Sequence, residues 1–214
     1  MDIVDLGIVG YEEALSVQQD LLRKRIAGSV PDTLVMLEHK PVVTLGRIDD
    51  GRGIIDRSFF EDNNIPVIST GRGGQITCHM PGQLVIYPIV DLAEKKKDVS
   101  FYIDLLEAAA SAALEQLGVS TLCNEERRGV WAGGRKIAFI GIAVKRWVTY
   151  HGIAININND LESFMHMHPC GESDIRVTSA REQLGRGLEM AEVKRVFADR
   201  LENSLTSEYA MQSV

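Results

Sequence analysis

Cysteine is scarce in this 214-residue chain, with only Cys78, Cys123 and Cys170 at irregular spacing. An odd count without a CxxC pair fits neither a secreted disulfide framework nor a zinc ribbon, so a reducing compartment is expected. Long apolar runs are also missing. Acidic or basic residues interrupt every hydrophobic stretch well before the ~20 residues that a membrane helix needs. The opening Met1-Asp2-Ile3-Val4-Asp5 lacks the basic segment of an export signal. The expectation is a soluble, cytoplasmic protein that does not engage a membrane. Positive charge is in deficit, 23 Lys and Arg against 30 Asp and Glu, for a net charge of -7. General nucleic-acid binding, which needs clustered cations on the phosphates, is thereby disfavoured. An acidic protein partner would have to be steered by a local basic patch. Arg127, Arg128, Arg135, Lys145 and Arg146 crowd one stretch, and Lys95-Lys96-Lys97 form another; either reads equally as a solvated face. No repeat, low-complexity tract or Pro/Ser-rich linker divides the chain, so residues 1–214 read as a single domain, with a monomer expected.

With 45% hydrophobic and 25% charged residues, the chain can bury a core without disulfide or metal staples. Apolar positions at helical spacing predict an amphipathic helix over 11–27, stopped by Gly28, after a short strand at 3–8. Strands are expected at 33–38, 42–45, 65–68 and 83–90, with a helical patch near 58–63. Ser100 is the expected N-cap of a second helix that runs to Leu117. Strands at 136–144 and 152–158 follow, with Gly133-Gly134 turning a hairpin, and a last helix spans 189–205. Helices mixed with hairpins, without regular β-α-β alternation, predict an α/β (α+β) fold: a mixed sheet flanked by helices.

Three segments could carry chemistry. The first is Arg72-Gly73-Gly74-Gln75-Ile76-Thr77-Cys78-His79-Met80-Pro81-Gly82-Gln83. Paired glycines let backbone N–H groups approach a ligand, although such a loop is also an ordinary turn. It is not a phosphate loop, because no Lys-Ser or Lys-Thr follows at the required spacing. The second is Cys170 between Pro169 and Gly171, on a loop that can present sulfur to a substrate. A thiol with pKa ~8.5 needs a neighbour to become a nucleophile, and a small buried hydrophobe is the bland alternative. The third is His166-x-His168-x-Cys170, three zinc-ligand types on one face of an extended segment. No fourth ligand stands nearby, so no metal is assigned. His39 and His151 read as structural histidines.

These blocks resemble the lipoyl(octanoyl) transferase family, whose fold is shared with lipoate-protein and biotin-protein ligase catalytic domains. The likeness rests on Arg72 to Gln83, on Gly134-Arg135-Lys136-Ile137-Ala138-Phe139-Ile140-Gly141, on His151-Gly152-Ile153-Ala154-Ile155-Asn156-Ile157-Asn158, and on Pro169-Cys170-Gly171. It implies that Cys170 accepts an acyl group and that Lys136 is its partner. Arg72, Gly73, Gly74, Gln75, Ile76, Thr77, Cys78 and His79 would wall the acyl site, with Phe139, Ile140, Gly141, Gly152, Ile153 and Ala154. His79 and His151 would line or order it, and backbone N–H groups of the glycine loop or Gly171 would hold the oxyanion. The implied donor is octanoyl-acyl carrier protein. The implied acceptors are lipoyl domains of 2-oxoacid dehydrogenase E2 subunits and the glycine cleavage H protein, and no cofactor is implied. Two departures from the family pattern, Cys78 in place of an aromatic residue and Met80 in place of glycine, predict an altered acyl tunnel. The rivals are an ATP-dependent lipoate-protein ligase, a non-catalytic acyl-binding module and a papain-like hydrolase.

Overall fold

The computed structural model describes residues 1–123 and 127–208. Its main sheet has seven strands in the order β1 (Asp2–Val9), β2 (Thr33–His39), β6 (Gln83–Ile89), β10 (Val148–Asn156), β9 (Arg135–Lys145), β8 (Val130–Ala132) and β7 (Leu122–Cys123). β1 and β2 run parallel and the other pairs antiparallel, so the sheet is mixed. Strand alternation splits its side chains between two layers. Leu34, Met36, Leu84, Ile86, Ile153 and Ile155 pack on one face beneath α3 (Val99–Gln116) and α6 (Met190–Asn203), with Ala180 of the short α5 (Ala180–Leu184) in the same core. Val35, Leu37, Val85, Tyr87 and Ala154 face the other way, toward α1 (Tyr11–Ile26). Glu12 and Glu13 in the first turn of α1, and Arg23, Lys24 and Arg25 in the last, match the helix dipole. Gly28, at φ +69°, takes the left-handed stop.

A second, three-stranded sheet in the order β4 (Val67–Ser69), β3 (Val42–Leu45) and β5 (Thr77–His79) stands apart from the first. Val43, Leu45, Cys78 and Met80 pack its core with Phe60 of α2 (Arg57–Asp62) and Phe164 of α4 (Glu162–Met165). β3 forms where a strand is expected, at Val42–Leu45, whereas β5, only three residues long within a glycine-rich stretch, does not show in the apolar pattern.

Three local expectations are corrected. Asp98, not Ser100, caps α3: its carboxylate accepts the Phe101 N–H at 3.0 Å. The strand expected at 65–68 forms at Val67–Ser69, since Pro66 has no N–H for a ladder. β10 begins at Val148 rather than Gly152, passing through His151 at φ +56°. The Gly133-Gly134 hairpin forms as expected, with both residues at positive φ, 55° and 72°. Among the described residues, no helix is long and apolar enough to cross a membrane.

Candidate active site

Between the α1 face of the main sheet and the small sheet lies a cavity of about 350 Å³. Its walls need close backbone approach. A Cβ on Gly152 would lie 2.2 Å from the Ile86 carbonyl oxygen, and one on Gly141 would lie 3.0 Å from that of Gly73.

At the cavity wall, the Lys136 Nζ donates to the Cys170 Sγ at 3.4 Å. Lys136 is 5% exposed and opens β9, so its chain is aimed rather than free. The segment after the cysteine loop clamps its backbone. Lys136 N–H donates to the Arg176 carbonyl at 2.8 Å, and Thr178 N–H donates to the Lys136 carbonyl at 3.0 Å. Its Nζ lies 5.3 Å from the Phe139 ring centroid and 5.6 Å from that of Trp131. The cysteine sits in a 3-10 turn, Pro169–Gly171, at φ +56°, a conformation a side chain occupies at a cost of roughly 1–2 kcal/mol. Gly171 follows at φ +73°. Two left-handed residues in succession turn the chain tightly, and the Cys170 N–H bond to the Ile76 carbonyl, 3.1 Å, ties that turn to the glycine-rich segment.

Behind the wall runs a chain of buried hydrogen bonds whose directions are set by its amides. The Gln83 Nε2 donates to the Cys78 carbonyl and to the Asn156 Oδ1, leaving its Oε1 to accept from the His79 Nδ1 at 2.7 Å. The protonated nitrogen of His79 is therefore Nδ1. The Asn156 Nδ2 in turn donates to the Thr178 carbonyl at 3.0 Å, which joins this chain to the clamp on Lys136. Arg72 is spent on the small sheet: its guanidinium donates to the Thr44 carbonyl at 2.6 Å, to the Thr44 hydroxyl at 2.8 Å and to the Gly73 carbonyl at 3.1 Å. Burial keeps the imidazoles neutral. It pushes His39 and His151 down to about 4, and with His39 alongside it holds His79 well below the usual range. Such rings are poor bases at neutral pH and bring no positive charge to the cavity.

Residues 10–202 match the lipoyl protein ligase A/B catalytic domain family. The octanoyltransferase of Syntrophotalea carbinolica is 42% identical over 91% of this chain and 89% of its own length. The chain belongs to this family, with the octanoyltransferases. Solved structures agree in fold. A bipartite lipoate protein ligase from Thermoplasma acidophilum superposes with a TM-score of 0.73 at 16% identity, over 95% of this chain and 83% of that one. The biotin protein ligase of Aquifex aeolicus, in complex with biotin and ATP, gives 0.64 at 15%, over 98% and 72%.

In this octanoyltransferase-family chain, Cys170, Lys136 and the residues expected to wall the site all line the cavity except Gly73 and Cys78. Gly73 instead stitches its loop to β9, its N–H donating to the Ile142 carbonyl at 2.8 Å. Cys78 points away because β5 alternates: Thr77 and His79 face the cavity and Cys78 faces the small-sheet core. Met80 also packs in that core, so neither departure from the family pattern lines the cavity. The Gly171 N–H, expected to hold an oxyanion, instead donates to the His168 carbonyl at 2.8 Å. His166 stacks on Phe59 at 3.7 Å between centroids and lies 3.3 Å from Asp56.

The two basic clusters are largely internal. Arg127 pairs with Glu172 and Asp174, Arg128 with Asp104 and Glu107, Arg135 with Glu182, Lys95 with Asp32 and Lys96 with Asp98. Sequence reasoning missed Tyr11, Ile48, Val85, Tyr87, Arg127, Arg128 and Glu172 as lining residues. Val85 and Tyr87 share a face with Gly152 and Ala154 through the pairing of β6 with β10, and only that register reveals it.

Proposed function

We propose that this chain transfers an octanoyl group from octanoyl-acyl carrier protein to a lysine of a lipoyl domain through a thioester on Cys170, the first step of endogenous lipoate synthesis. The observation that carries the reading is the Lys136 Nζ 3.4 Å from the Cys170 sulfur at an otherwise largely apolar cavity. Lys136, as the neutral amine, takes the thiol proton, and the thiolate attacks the carbonyl carbon of the donor thioester. A new C–S bond forms and the bond to the carrier's phosphopantetheine sulfur breaks. The Lys136 ammonium returns the proton to that leaving sulfur. In the second half, the neutral amine of the lipoyl-domain lysine attacks the acyl-enzyme carbonyl and a C–N bond forms. Cys170 leaves, and the amine's surplus proton passes to Lys136 and then to sulfur. A thioester is exchanged for a thioester and then for a more stable amide, so no ATP and no cofactor enter.

The acceptors are the lipoyl domains of 2-oxoacid dehydrogenase E2 subunits and the glycine cleavage H protein. The chain acts as one catalytic domain, as a monomer, in the cytoplasm. The cavity volume, about 350 Å³, lies at the small end of ligand pockets and suits one acyl chain. Brief exposure to octanoyl-acyl carrier protein should add one octanoyl group to the intact mass, and Cys170→Ser should abolish that adduct. Transfer that requires ATP and free acid, with no adduct, would identify a ligase instead.

A further inference from the structure

We propose that the side-chain hydroxyl of Thr77 is a catalytic hydrogen-bond donor to the acyl oxygen, the group that stabilises the oxyanion as Cys170 attacks. This inference rests on the transfer reading above and adds a residue to it.

Thr77 is 7% exposed and lines the cavity, and its Oγ1 has no hydrogen-bond partner among the described residues. A buried hydroxyl left unpaired costs roughly 1–3 kcal/mol, so an unpaired one on a residue that lines a binding cavity points to a partner that arrives with the ligand. Three neighbouring polar groups are already committed. The Arg72 guanidinium is held by Thr44 and Gly73, the His79 Nδ1 by Gln83, and the Tyr87 hydroxyl by His39 at 2.7 Å. The Tyr11 hydroxyl, also without a partner among the described residues, lines the same cavity from α1, its ring 5.3 Å from that of His39.

Location supports the same assignment. The Ile76 carbonyl, in the residue before Thr77, accepts the Cys170 N–H, so the threonine adjoins the contact that fixes the cysteine turn. The backbone donors of that turn are occupied: Cys170 N–H binds Ile76, and Gly171 N–H binds His168. A saturated acyl tail offers no acceptor along its length. The acceptor beside sulfur is its carbonyl oxygen, which gains negative charge when sulfur adds. A hydroxyl donor there binds the tetrahedral oxyanion more strongly than the neutral carbonyl, and that difference is what accelerates the step.

The test compares Thr77→Val and Thr77→Ser with the unaltered chain. Valine keeps the branched shape and removes the hydroxyl; serine keeps the hydroxyl. Two reactions of Cys170 are followed by intact mass: acylation by octanoyl-acyl carrier protein, which passes through an oxyanion, and alkylation by iodoacetamide, which does not. Thr77→Val should acylate about 10²-fold more slowly, with the loss in kcat rather than KM. It should alkylate at the unaltered rate and melt no lower than the parent, because an unpaired hydroxyl has been removed. Thr77→Ser should stay within about tenfold of the parent. Unchanged acylation in the valine variant overturns the assignment, as does equal slowing of both reactions, or a serine variant as slow as valine. If the unaltered chain takes no octanoyl group at all, the transfer reading itself fails, and the role of Thr77 with it.

Discussion

The Nζ of Lys136 and the Sγ of Cys170 meet at 3.4 Å although 34 residues separate them in the chain. The clamp that residues 176–178 place on the Lys136 backbone makes this meeting a property of the fold rather than of one side-chain rotamer. Lys136→Met keeps length and apolar packing but cannot move a proton. It should slow octanoyl transfer by about 10²- to 10⁴-fold while leaving the melting temperature near that of the parent. A variant that transfers at the parental rate would remove the lysine from the mechanism.

Gly171 is required by both conformation and space. Its φ is +73°, and a Cβ there would lie 1.4 Å from the Gln75 Oε1. Gly171→Ala should displace the Cys170 turn and lower the transfer rate by about 10²-fold, since a shift of 1 Å at a reacting atom costs that much. The obstructing atom ends a flexible side chain. Adding Gln75→Ala should therefore recover the steric part of the loss but not the part due to backbone strain. Initial rates of octanoyl-domain formation measure both, and equal rates in the single and double variants would refute the steric argument.

Cys78 belongs to the small-sheet core, and burial pushes its thiol far above the ordinary range. Iodoacetamide on the folded protein should modify Cys170 and the exposed Cys123 and spare Cys78, as read by peptide mass. Cys78→Ala should lower stability by about 1 kcal/mol and leave the preference among acyl lengths unchanged. A shifted length preference would place the residue back on the cavity.

His39 and His151 titrate near 4 when folded, because burial disfavours their charged forms, against about 6.5 in an unfolded chain. Below pH ~6.5 the unfolded state takes up protons that the folded state refuses. The stability they contribute is complete above that pH and is lost as pH falls toward about 4. The melting temperature should thus decline between about pH 6.5 and 4, before most carboxylates titrate. His39→Gln should flatten part of that decline. A parental melting temperature constant across this window would contradict the assignment of neutral buried rings.

Asn156 holds the Thr178 carbonyl through its Nδ2 and accepts from Gln83 and Asn159 through its Oδ1. Asn156→Asp replaces the donor with a second acceptor facing a carbonyl. It should cost about 1–3 kcal/mol of stability, read by urea unfolding, and loosen the clamp on Lys136. Stability equal to that of the parent would show that the Asn156 donor contributes nothing to the fold.

Much of this protein is legible in one dimension. Helices α1, α3 and α6 follow from apolar spacing, the β8–β9 turn from Gly133-Gly134, and the chemistry-bearing residues from glycine-rich loops and a cysteine between proline and glycine. Those signals are local, set by backbone freedom and by which side of an element is apolar. Tertiary structure alone decided the rest. Two strands of the small sheet are expected from the sequence, at 42–45 and near 65–68, but β5 is not, and that the three pair with one another as a separate sheet is set by partners distant in the chain. That pairing determines that Thr77 and His79 face the cavity while Cys78 turns to the core, a distinction of one residue in register. Tertiary contacts likewise bring Val85 beside Ala154, pair Arg127, Arg128, Arg135, Lys95 and Lys96 with nearby carboxylates, and leave the Thr77 hydroxyl, unpaired among the described residues, next to the residue that ties down the Cys170 turn. Which groups share a cavity, and which remain free to act in it, depends on contacts between elements far apart in the chain.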